Sequence, residues 1–181
     1  MKKAILGLVL FFTSSVLFAQ ESKFGAELGS SFASFENTND QILSQVDGLS
    51  GGLFYSIKLN DDFSIQPEVL YVEKGGAVLN LPTKFNVNYI EIPVLVKWYL
   101  IKAFFHPAIF AGQYYAANVS SAVTNGQLTN INVSDFGYTV GVQIGLDDTF
   151  LSARWDISLA NVTSDTNIQN RDFIMMLGQG I

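Results

Sequence analysis

Residues Phe136 to Leu146 read FGYTVGVQIGL, and their two-residue alternation decides the fold class. Phe136, Tyr138, Val140, Val142, Ile144 and Leu146 fall on one side, and Gly137, Thr139, Gly141, Gln143 and Gly145 on the other. Successive side chains of a β-strand point to opposite faces, so this is a strand with one greasy face and one small, polar face.

Working outward, Asp147, Asp148 and Thr149 form a turn signal. A second strand then sets Leu151, Ala153, Trp155, Ile157 and Leu159 against Ser152, Arg154, Asp156, Ser158 and Ala160. The same grammar recurs upstream. FGAELGSSF begins at Phe24, LSGGLFYSIKL ends at Leu59 with Phe54 out of phase, FSIQPEVLYVEK runs from Phe63 to Lys74, and YIEIPVLVKWYL runs from Tyr89 to Leu100. Pro67 lacks an N–H for the ladder and predicts a local bulge or distortion. A fifth strand, roughly Phe104 to Ala117, is apolar almost throughout, and alternation assigns it no register. An eighth, from about Arg171 to Ile181, has Phe173, Met175 and Leu177 on its apolar face. Short turns near Asp61, Lys102 and Asp147 alternate with longer polar stretches near 36–48, 75–84, 118–134 and 161–170. Short turns on one side and long loops on the other are the habit of outer-membrane barrels. An even strand number brings first and last strands together, and closure removes the edges that lipid cannot satisfy. The expected fold is all-β: an eight-stranded antiparallel up-and-down transmembrane β-barrel.

Met1 to Ala19, MKKAILGLVLFFTSSVLFA, has a basic start at Lys2 and Lys3, a short apolar run and small residues before Ala19. It reads as a cleavable signal peptide over 1–19, with the barrel domain over 20–181; the run is shorter than the ~20 residues of a spanning helix. Removing its two lysines takes the formal net charge from −6 to −8, an acidic balance that argues against nucleic acid as a partner. Charged residues make up 14% of the chain, against about 25% for soluble domains, as expected of a protein that shows one face to lipid. The absence of Cys excludes disulfides, thiolate metal sites and a Cys nucleophile.

Three features turn the apolar face outward. The polar face is rich in small residues. Aromatic residues cluster near strand ends (Phe63, Tyr71, Trp98, Phe136, Tyr138, Phe150 and Trp155), where rings prefer the headgroup level. Charges on the polar face occur in both signs: Glu27, Lys58, Glu68, Lys74, Glu91, Lys97, Arg154 and Asp156. Enclosed in a narrow lumen they must pair, because an isolated buried charge is costly. Glu68, Glu91, Lys97 and Arg154 are the expected centre of this network. An eight-stranded lumen holds little more than side chains, so the network reads as an ionic plug.

Several segments together resemble the PorT-type outer-membrane β-barrel family of Gram-negative bacteria: SIQPEVLYVEKGG (Ser64 to Gly76), YIEIPVLVKWY (Tyr89 to Tyr99), FAGQYYA (Phe110 to Ala116), DFGYTVGVQIGL (Asp135 to Leu146) and ARWDISLANV (Ala153 to Val162). The resemblance implies an up-and-down barrel in the cell outer membrane with no common enzymatic activity. It also implies insertion by the barrel-assembly machinery, which in many members reads a terminal aromatic residue; this chain ends in Ile181.

Catalytic chemistry has no foothold. His106 is the single histidine, no local Ser accompanies it, and no metal or phosphate-loop motif occurs, so neither a catalytic residue, a metal nor a cofactor is expected. The leading expectation is a structural or surface-interaction barrel. Its partners would be outer-membrane lipid and an extracellular or secretion-related protein contacting residues 36–48 and 118–134. A narrow channel, from the charged lumen, and a soluble periplasmic ligand-binding barrel are the alternatives.

Overall fold

In the computed structural model, which describes residues 22–37, 43–78, 84–101, 104–124, 133–163 and 166–181, every alternating segment is a strand. The strands are β1 (Ser22–Asn37), β2 (Leu43–Lys58), β3 (Phe63–Val78), β4 (Lys84–Tyr99), β5 (Phe105–Thr124), β6 (Ser134–Leu146), β7 (Thr149–Thr163) and β8 (Thr166–Gly180). Each pairs antiparallel with its sequence neighbour, and β1 pairs with β8 from Gly25↔Gly180 to Asn37↔Ile168, which closes the barrel. The signal segment lies outside the described residues.

Two tight turns form where Asp and Asn cluster. The Asn60 carboxamide oxygen accepts hydrogen bonds from the backbone N–H groups of Asp62 and Phe63, both at 2.9 Å. Asp147 takes the left-handed conformation, φ 52°, that Asn and Asp tolerate better than most residues. Two sequence expectations need refinement. At Pro67 the ladder is distorted without a bulge: pairing with β2 lapses between Phe54↔Glu68 and Ile57↔Ile65, where proline offers no N–H, yet the register is the same on both sides of the gap. The register instead slips between Gln45 and Ser50 on β2, and at Asn88/Tyr89 of β4 opposite β5. The connections are also shorter than expected, since strands run through much of 36–48, 75–84, 118–134 and 161–170. Beyond the lipid, strands no longer need a greasy face, so Ser- and Asn-rich sequence there looked like loop.

The apolar face points outward. Leu53, Val94 and Val140 are 49%, 43% and 42% exposed, and Ile157 is partly exposed. A soluble barrel would enclose these residues; this one displays them, which contradicts the periplasmic ligand-binding alternative. Aromatic side chains bound the outer surface at two levels. Near the short turns lie Phe24, Phe63, Trp98, Phe104 and Phe105, with Phe63 and Trp98 stacked at 6.1 Å. At the other level lie Tyr71, Tyr115, Phe136, Tyr138 and Trp155, with Trp155 against Phe173 at 4.9 Å. Between them the face is mostly aliphatic: Leu28, Val69, Val94, Val96, Ile109, Val140, Val142 and Leu177 are exposed. Phe63 and Tyr71 stand eight residues apart on β3, about 20 Å of height for a strand tilted by ~40°, close to the apolar band of an outer-membrane barrel.

Candidate functional site: the sealed lumen

Among the aromatic side chains turned into the lumen, four lie opposite a glycine on the adjacent strand. Phe54 faces Gly25, Phe110 faces Gly141, Tyr114 faces Gly137 and Phe150 faces Gly178. The glycine supplies the space: a Cβ at these positions would lie 2.3, 2.4, 2.8 and 2.2 Å from the ring. The Gly-rich polar face is therefore a bed for rings lying across the wall. Phe54, out of phase in the sequence, is one of them, and its edge meets Phe150 at 5.4 Å. β5, without readable alternation, fills the lumen with Ala108, Phe110, Tyr114 and Ala116. Both its faces are apolar because one meets lipid and the other meets these rings.

The charges sit in layers above this aromatic floor. The Lys97 ammonium donates to the Gln143 side-chain oxygen at 2.6 Å and lies over the rings of Phe150 (4.9 Å) and Phe110 (5.6 Å). The Arg154 guanidinium donates to Glu68 at 2.7 Å, and the Gln66 amide donates to the other Glu68 oxygen at 2.7 Å. Glu27 is buried at the same level. Higher up, the Lys74 ammonium lies 2.7 Å from Asp172 and 3.0 Å from Glu91, between the rings of Tyr114 (5.0 Å) and Tyr89 (5.6 Å). Thr139 donates to Asp156. At the top Asp135 accepts from Ser158, Asn170 (3.1 Å) and Tyr114 (3.4 Å).

The structure thus buries Glu27, Glu68, Glu91, Lys97, Arg154 and Asp156 in one lumen, as their strand parity implied. Lys58 does not join them. It is the last residue of β2, at the open end, where it pairs with Asp61 at 3.4 Å. The expected centre, Glu68, Glu91, Lys97 and Arg154, divides between two levels, and Lys74 is the hub of the upper one. Asp135 and Asp172 were missed: parity with Gly137 and with Ile174 would have placed both inside. Among the described residues, six buried carboxylates (Glu27, Glu68, Glu91, Asp135, Asp156, Asp172) face three cations (Lys74, Lys97, Arg154). No group of three or more ligating side chains among the described residues is arranged to hold a metal ion. Chemically the arrangement can seal. The Arg154–Glu68 and Lys74–Asp172 pairs resist displacement in a narrow lumen, since separating either partner strands the other.

Of the aromatic residues expected at the interface, Phe63, Tyr71, Trp98, Phe136, Tyr138 and Trp155 point outward, whereas Phe150 turns inward because Gly178 opposite it leaves room for the ring. Phe63 and Trp98 belong to the short-turn level and the other four outward rings to the far one. His106 stands at the start of β5, half-buried.

Set against known proteins, the barrel is similar to three solved outer-membrane structures. Ail, the attachment invasion locus protein of Yersinia pestis, is 10% identical, with 90% of this chain and 100% of that chain covered at a TM-score of 0.57. Neisserial surface protein A is 11% identical over 88% of this chain and 99% of its own, TM-score 0.57. OprG of Pseudomonas aeruginosa is 8% identical over 88% and 94%, TM-score 0.56. At such identities the likeness is one of fold. No curated protein matches the sequence. The family model described as "Outer membrane protein beta-barrel domain" matches residues 18–164, so the chain is an outer-membrane β-barrel and belongs to that family.

Proposed function

We propose that this protein is a small, non-enzymatic outer-membrane barrel with a structural or surface-interaction role, its lumen closed by an ionic plug. The observation that carries this reading is the buried charge layer: Arg154, Glu68 and Lys97 are each at most 2% exposed, Arg154 and Glu68 are bonded across the barrel, and Lys97 is bonded to Gln143 two strands away. The PorT-type resemblance in QPE…Y…KGG (Gln66 to Gly76) and YIEIP (Tyr89 to Pro93) supports the same reading, since that subtype implies no enzymatic activity. With the interior filled, contact with other molecules falls to the outer surface and the strand ends. Lipid covers the aliphatic band, the barrel-assembly machinery inserts the chain, and a protein partner outside the cell or in secretion meets the end beyond Tyr71 and Trp155, including residues 36–48 and 118–134.

Planar-bilayer recording tests the plug. A sealed barrel gives no steady conductance; steady single-channel steps from the unmodified protein would favour the narrow channel. Deleting residues 125–132 tests the surface role, with insertion expected to persist and cell-surface binding to be lost.

A further inference from the structure

At the short-turn end the lumen opens into a vestibule of about 890 Å³, to which all eight strands contribute. This lies within the range of small-molecule sites, about 300–1,000 Å³. Its floor is the Phe54–Phe150 pair with Gln66 and Gln143, its wall carries Ser56, Ser64, Tyr99 and His106, and its rim holds Lys23, Lys58 and three aspartates. Short turns face the periplasm in this class of barrel, so the vestibule opens there.

Two observations separate it from an ordinary barrel mouth. First, the charge network sets the floor amides. Lys97 occupies the Gln143 oxygen, and the nearest side-chain atom to a Cβ built on vestibule-lining Gly145 is the Gln143 Nε2, at 3.8 Å. Gln143 therefore offers the cavity its N–H donors. Gln66 spends its Nε2 on Glu68, which leaves its carbonyl oxygen as the free acceptor. Second, two lumen glycines lack the reason the others have. Gly25, Gly137, Gly141 and Gly178 make room for rings, but a Cβ at Gly145 or Gly180 would meet nothing closer than 3.7 and 3.5 Å. Neither has a positive φ. Both line the vestibule, where a side chain would project into the cavity.

We propose that the vestibule is a binding site for a neutral saccharide. A fixed donor and a fixed acceptor at the floor suit a ligand whose groups both give and receive hydrogen bonds. The serine, tyrosine and imidazole groups of the wall extend that match. The mixed-sign rim, where Lys23 meets Asp148 and Lys58 meets Asp61, offers no net attraction to an anion. Phe54 and Phe150, both of which line the vestibule, supply apolar surface for the C–H groups of a sugar ring.

The test titrates N,N′-diacetylchitobiose into the detergent-solubilised full chain and follows backbone NMR shifts. Saturable shifts at Gly145, Gln143 and Ser64 are expected. Gly145→Leu, which projects a side chain into the cavity beside the Gln143 amide, should abolish them, and Gln143→Leu should weaken binding about tenfold. Gly180→Leu serves as the second filling variant should Gly145→Leu fail to fold, with heat-modifiable gel mobility reporting the fold. Retention of the chain on purified peptidoglycan sacculi, competed by the disaccharide, identifies wall glycan as the source; disaccharide binding without retention identifies a free oligosaccharide. No shifts at about 10 mM disaccharide, or undiminished binding in a folded filling variant, would overturn the site.

Discussion

Arg154 and Glu68 meet at 2.7 Å although β7 and β3 stand four strands apart around an eight-stranded wall, so this ion pair spans the full diameter of the lumen. Both side chains are 1% exposed. The pair ties opposite walls together as well as neutralising charge. Breaking it from one side leaves a buried, uncompensated ion, a loss of about 3–5 kcal/mol; replacing both partners with apolar residues of similar volume is about neutral or stabilising. Arg154→Met alone should therefore lower the urea midpoint in detergent sharply, and Arg154→Met with Glu68→Leu should restore it. Equal losses in the single and double variants would contradict the pair.

The upper layer depends on one cation. Lys74 serves both Asp172 and Glu91, so Lys74→Met should cost as much as the loss at Arg154, about 3–5 kcal/mol. The Lys23–Asp148 pair is half-exposed at the periplasmic rim, and Asp148→Asn should change stability by less than about 1 kcal/mol. Denaturation midpoints in detergent compare the two directly.

Packing of rings on glycines makes a size prediction. Gly178→Ala puts a methyl group 2.2 Å from the Phe150 ring, an overpacking cost of about 1–3 kcal/mol. Phe150→Leu in the same chain should relieve part of it. Gly145→Ala meets open space and should be neutral or stabilising by a few tenths of a kcal/mol to about 1. Melting followed by heat-modifiable gel mobility distinguishes these outcomes.

The lipid face predicts depth dependence. Val140→Arg, in the aliphatic band, should destabilise by about 2–4 kcal/mol, whereas Phe63→Arg, at the aromatic level, should cost about 0–1. Reversible unfolding from lipid vesicles measures both. Equal costs would mean that the two positions share one environment.

How far the sequence could be read follows from what each face touches. Where one face meets lipid and the other small polar groups, as in β4, β6 and β7, alternation separated the two faces, and Glu91, Lys97, Arg154 and Asp156 lie on the buried side it gave them, whereas Asp135, just ahead of the clean run, was passed over. Where both faces are apolar, as in β5, parity carried no signal, and the Phe110 and Tyr114 rings emerged only with the strand pairing. Partners across the barrel are set by the register of non-adjacent strands, which no local pattern encodes. For that reason the Lys74–Asp172 contact went unseen although both residues lay on inward positions. Lys58 was misplaced because parity gives a side chain's direction but not its height. Above the membrane, strands lose the lipid that imposes alternation, and so they passed for loops.

Adjacent residues of opposite parity test the account most directly. Val94 and Leu95 are neighbours on β4, the first 43% and the second 1% exposed. With no native Cys to compete, single Val94→Cys and Leu95→Cys variants can be spin-labelled in lipid vesicles. A label at position 94 should collide freely with dissolved oxygen and be shielded from a water-soluble nickel chelate, while a label at 95 is shielded from both. Oxygen access at 95 with shielding at 94, or nickel access at 94, would mean that water or protein, and not hydrocarbon, covers the apolar face.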